Sequence, residues 1–69
     1  MLYLKVTKKL PSKLLIVNKT IRDVDIELAN NLFMEEVKRH KVYPVLRDSS
    51  GNKIAENSEF IITLTKKEK

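Results

Sequence analysis

Only one stretch of this chain, DVDIELANNLFMEEVKRHK from Asp23 to Lys41, is long and periodic enough to form an amphipathic helix. Whatever else folds must therefore be strands that this single helix can cover. Ile26, Ala29, Phe33, Val37 and His40 recur at intervals of three and four residues and share a face, which Leu28 and Leu32 widen on one flank. Glu27, Asn31, Glu35 and Lys38 fall on the opposite side. Asp23 or Asp25 is placed to accept a hydrogen bond from the free amides of the first turn, and Lys38, Arg39, His40 and Lys41 complement the carbonyl end of the dipole. Glu35 and Arg39 form a pair worth about 0.3 kcal/mol on an exposed face. Pro44 lies just beyond and biases Tyr43 towards extended geometry.

The flanking segments alternate or run apolar. Leu2, Leu4 and Val6 fall on one face of LYLKVTK and Tyr3, Lys5 and Thr7 on the other, the pattern of a half-buried strand. After a turn over Lys9–Lys13, the segment LLIVNKTIR begins with Leu14, Leu15, Ile16 and Val17, apolar on both faces, and is expected to be a central strand or one covered twice. A hairpin joins the two. VYPVLRD, from Val42 to Asp48, suits an edge because Pro44 cannot donate to a ladder. Asp48-Ser49-Ser50-Gly51-Asn52 is the clearest turn, after which Lys53–Ala55 is expected to return beside the preceding strand. Glu56-Asn57-Ser58 reads as a bulge or bend, and FIITLT from Phe60 to Thr65 as a strand. The fold class is α+β: a single two-layer domain over residues 1–65, with one helix on an antiparallel or mixed sheet of four to five strands in the order ββαβ(β)β, and a basic solvated tail at 66–69.

At 69 residues the chain has little core to bury, and domains of fewer than about 70–80 residues commonly lean on disulfides, a metal or a partner. Cysteine is absent and there is one histidine, so disulfides, thiolate sites and an unaided zinc site are excluded. Oligomerisation is the remaining support, and a homodimer is the expected state. The candidate interface is the apolar surplus of the strands, Leu15, Val17, Ile21 and Ile61, left on a sheet face that one helix cannot cover. No apolar run approaches the roughly 20 residues of a membrane span. The start, MLYLKVTKK, reverses the charge order of a secretory signal, so the expectation is a cytoplasmic protein without membrane contact.

Chemistry-bearing motifs are few. Glu36 and His40 stand one helical turn apart beside Ala29, Leu32 and Phe33; they read either as an acid and base pair or as an ion pair reaching past an apolar rim. Asp23, Asp25 and Glu27 alternate like calcium ligands but lack the oxygen count and the glycine of a calcium loop, and helix-start capping accounts for them. No serine sits in a nucleophile elbow, and one glycine builds neither a phosphate loop nor a dinucleotide fingerprint. Neither a cofactor, a metal nor a catalytic residue is therefore assigned.

The formal charge of +5, from 14 basic and 9 acidic residues, favours polyanionic partners. Tyr3, Lys5 and Lys9, with Thr7 between them, would stand on the open sheet face, and Thr63, Thr65 and Lys67 would join them if the terminal strands pair. An aromatic among lysines on a sheet can hold single-stranded nucleic acid by stacking and phosphate contacts. A second basic group is expected where Lys38, Arg39 and Lys41 end the helix, with Arg47 and Lys53 nearby. The leading expectation is a small non-enzymatic nucleic-acid-binding protein; the alternative is a protein-interaction module docking through an apolar sheet face or strand edge. In size, lysine content and lack of motifs the chain is similar to accessory proteins of phages and mobile elements, a likeness of composition that carries no site residue.

Overall fold

The computed structural model describes residues 1–9, 13–48 and 51–66. Strands β1 (Leu2–Lys8) and β2 (Leu14–Ile21) precede a 3-10 turn at Asp23–Asp25 and helix α1 (Ile26–His40); β3 (Val45–Arg47), β4 (Lys53–Glu56) and β5 (Phe60–Thr65) follow. The five strands form one sheet in the order β2-β1-β5-β4-β3, and every neighbouring pair is antiparallel. Helix α1 lies on β1 and β5, giving the expected two-layer α+β domain.

The alternation in β1 and β5 builds this arrangement. Leu2, Leu4 and Val6 from β1 and Ile62 and Leu64 from β5 are buried beneath the helix, where Val6 pairs with Ile62 and Leu4 with Leu64. The helix presses Ala29, Phe33 and Val37 onto them, all three fully enclosed. Burying a side chain the size of Phe33 contributes about 1.5–3 kcal/mol, so this stripe accounts for the helix docking. It is narrower than its periodicity implies: Ile26, on the first helical turn, and Leu28, on the flank, are exposed, and Met34 packs at the other rim.

Three expectations change. The first turn is not capped by a carboxylate: Asp25 donates its backbone N–H to Arg22 O at 2.9 Å, and no side chain bonds the free amides there. The tight turn satisfies locally what a capping oxygen would otherwise supply. Strand β2 is not central but an edge, because the terminal strands pair (Tyr3 with Thr65, Lys5 with Thr63) and β1 and β5 take the middle of the sheet. Finally, β3 is confined to three residues after the cis Tyr43–Pro44 peptide and forms the other edge.

The connections follow local chemistry. At the helix end Lys41 adopts left-handed backbone geometry (φ 54°), and its N–H and that of Val42 both reach Val37 O. Gly51 (φ 84°) turns the β3–β4 hairpin, where its N–H donates to Asp48 O at 3.2 Å. Asn57 Oδ1 accepts from the N–H groups of Glu59 (2.8 Å) and Phe60 (2.7 Å), which makes the bend before β5 an Asx turn. The expected turn residues 10–12, Ser49 and Ser50, and tail residues 67–69 lie outside the described residues.

Candidate nucleic-acid interface

Among the described residues no layer covers the sheet face away from α1. Cross-strand pairing sets its rows: Asn18, Lys5, Thr63, Ile54 and Leu46 run across all five strands, with Thr20, Tyr3 and Thr65 beside them. Near the β3–β4 turn this face holds a groove of about 560 Å³ lined by Lys5, Leu46, Arg47, Asp48, Asn52, Lys53, Ile54, Thr63, Thr65 and Lys66. Its floor is apolar and hydroxyl-bearing, and its rim is cationic. Tyr3, the cross-strand partner of Thr65, stands beside it.

Asn52 holds the wall of the groove. Its backbone N–H and its Nδ2 donate to the two carboxylate oxygens of Asp48 at 2.9 and 3.0 Å, and its Oδ1 accepts from Lys66 N–H at 3.1 Å. The hairpin turn is thereby tied to the end of β5, and the acidic side chain in the lining has both oxygens engaged by Asn52. Lys53 contributes its stem only: its Nζ donates to Asn30 Oδ1 in the helix layer at 2.8 Å and lies 6.0 Å from the centre of the Phe33 ring. Burial holds the Lys53 ammonium below the usual lysine range, and the charge of Arg47 adds to the effect. In the lining Lys5, Arg47, Lys53 and Lys66 outnumber the single carboxylate, Asp48.

The sequence-nominated residues divide into groups. Tyr3 and Lys5 stand on the open sheet face; Arg47, paired with Lys53 in the row of buried Leu64, reaches the groove from the edge strand; Lys38, Arg39 and Lys41 lie at the far end of α1. The expectation that Arg47 and Lys53 neighbour the helix end is corrected. Lys53 pairs with Leu64 near the end of β5, while the helix C-terminus meets the start of β5, where His40 stacks on Phe60 with ring centroids 4.3 Å apart. The antiparallel return of β4 carries its first residues towards the helix N-terminal half. Lys9 is engaged by Glu56 Oε2 at 2.6 Å and Asn57 O at 3.2 Å, and Arg39 stands 3.4 Å from Glu36 Oε2, so both are partly neutralised.

The apolar quartet also divides. Leu15, opposite Thr7, and Ile61, its partner on the other side of β1, are on the open face. Ile21 is buried opposite Leu2, and Val17 packs on the core opposite Val6, so neither belongs to an open-face interface. A register shift between Val6 and Thr7 is the cause: Ile16 is the extra residue of a bulge, and the side-chain phase of β2 reverses across it.

Glu36 is buried, its Oε1 3.4 Å from His40 Nε2, with Arg39 on its other oxygen. Neither Glu36 Oε1 nor His40 Nε2 has a well-directed hydrogen bond, and neither lines the groove. Glu36 is thereby held between Arg39 and His40 at the helix end, where His40 stacks on Phe60. No three His, Cys, Asp or Glu side chains converge as metal ligands among the described residues.

Sequence reasoning missed Lys66 as a groove residue because it assigned residues 66–69 to a solvated tail. Residues 1–22 contain Lys5, Lys8, Lys9, Lys13, Lys19 and Arg22 and no Asp or Glu, so the β1–β2 half of the sheet is purely cationic. No described helix is long and apolar enough to cross a membrane. No protein-family model, curated protein or solved structure matches the chain.

Proposed function

We propose that the protein is a non-enzymatic binding module that holds a single strand of nucleic acid against the open face of its sheet. The observation that carries this reading is the convergence of Lys5, Arg47 and Lys66, from β1, β3 and the end of β5, on one groove whose floor is Leu46, Ile54 and threonine hydroxyls. Cations at the rim suit phosphates, hydroxyls suit phosphate or sugar oxygens, and apolar floor with the Tyr3 ring suits base faces, where stacking is worth about 1–3 kcal/mol per base. A duplex is too wide and stiff to enter a groove of this size, whereas a flexible strand can follow it. Lys38 and Lys41, exposed at the helix end, contribute long-range attraction rather than contact.

The test is fluorescence anisotropy with labelled oligothymidylate at low and near-physiological salt, using the full chain and a chain shortened to end at Lys66. Saturable binding that survives the shortening, falls with salt and weakens in Lys5→Gln and Arg47→Gln is the expected result. Binding that disappears with residues 67–69, or that ignores both substitutions, refutes the proposal.

A further inference from the structure

The two edges of the sheet are unlike. β3 offers three residues following a proline, whereas β2 offers eight and, among the described residues, pairs on one side only, with β1. An edge of that length presents a row of backbone donors and acceptors that another extended chain can complete. Its side chains are equally unfinished: Leu14, Leu15 and Ile16 are consecutive and remain 57, 48 and 43 % exposed. Leu14, opposite Lys8, and Leu15, opposite Thr7, lie on opposite faces, and Ile16 is the extra residue of the bulge, so neither a layer above nor one below would cover all three. A strand laid alongside covers both sides at once.

Charge selects the occupant. Exposed Lys13 and Lys19 bracket the apolar run, and no carboxylate occurs between Met1 and Arg22. A second copy paired through β2 would bring Lys13 and Lys19 against their own kind, and like charges across a ladder destabilise it. An extended segment with acidic residues around an apolar centre meets the same lysines with opposite sign. The lysines that keep copies of this chain apart therefore favour one kind of partner.

We propose that β2 is an acceptor edge to which a partner protein adds an extended, apolar-centred acidic segment as a further strand. The surface shares no cation with the groove on the open face, so the two proposals stand or fall separately.

The probe is the capped, fluorophore-labelled peptide Glu-Val-Thr-Val-Thr-Val-Glu, compared with one in which both Glu are Lys and one in which the central Val is Pro. Binding is read by anisotropy at near-physiological salt and located by backbone amide NMR shifts and hydrogen exchange. The acidic peptide is expected to bind and to protect β2 amides; the proline peptide, unable to complete the ladder, binds at least about tenfold more weakly. The lysine peptide does not bind, and the double variant Lys13→Glu/Lys19→Glu reverses the preference while the α1 and β5 amide spectra stay unchanged. Four results overturn the proposal: no saturable binding, equal binding of the proline peptide, shifts at β2 produced equally by oligothymidylate, or β2 amides already protected in a self-associated free protein.

Discussion

Salt dependence offers the sharpest test of the groove, because the structure says how many cations to count. Lys5, Arg47 and Lys66 line it, whereas the Lys53 ammonium bonds Asn30 in the helix layer. Each phosphate neutralised on a single strand contributes about −0.7 to the slope of log K against log salt, so three contacts give about −2. Between roughly 50 and 200 mM salt that slope costs about 20-fold in affinity. Arg47→Gln leaves about −1.4, and Lys5→Gln/Arg47→Gln about −0.7, a loss of only about threefold over the same range. The assay is the oligothymidylate titration at four or more salt concentrations, with urea unfolding of each variant to show that the fold survives. Lys38→Gln/Lys41→Gln at the helix end is the control and keeps the full slope. If the groove variants keep the parental slope, or the helix-end variant lowers it by the same amount, the proposed groove binding is refuted.

Other consequences concern the frame that carries the groove. Phe33→Ala, which empties the largest fully buried side chain beneath α1, is expected to cost about 3–5 kcal/mol in urea unfolding, a major part of what a domain of this size possesses. Lys53 gives a pH signature: its folded-state pKa is lowered by burial and by Arg47, so the unfolded chain binds more protons and the penalty is fully present below the folded pKa. That penalty is relieved as pH rises through the folded value towards 10.5, so stability relative to Lys53→Met is expected to increase over this alkaline window; a flat difference would contradict the assignment. Two backbone substitutions carry opposite signs. Gly51→Ala, at φ 84° with open space where its Cβ would stand, is expected to lose about 1 kcal/mol from conformational strain alone, and Lys41→Gly, at φ 54°, to gain up to about 1 kcal/mol, both measured as shifts in unfolding midpoint.

Side-chain period was sufficient for the local elements. The three-and-four spacing of Ala29, Phe33 and Val37 specifies a helix and its buried stripe, and the two-residue alternation of Leu2, Leu4 and Val6 and of Ile62 and Leu64 specifies two strands with one apolar face each. Gly51 marked its turn, and Pro44 marked an edge, because each constrains its own backbone whatever surrounds it. With one helix among such strands, the two-layer α+β class follows.

Lateral order is another matter. Which strands lie side by side depends on contacts between residues far apart in the chain, and local periodicity is the same whether a strand is central or at an edge. The pairing of Tyr3 with Thr65 moves β2 to the margin and leaves Leu14–Ile16 uncovered, although their sequence resembles a buried strand. The bulge at Ile16 then turns Val17 and Ile21 towards the core while Leu15 stays outside, a phase change that uninterrupted alternation from Leu15 to Ile21 does not reveal. The groove follows the same rule: Lys5, Arg47 and Lys66 are distant in sequence and are neighbours only because β1, β5, β4 and β3 lie in that order. Sequence determined the helix, the strands and the excess of positive charge; tertiary pairing decided which cations line the groove and which strands stand at the edges.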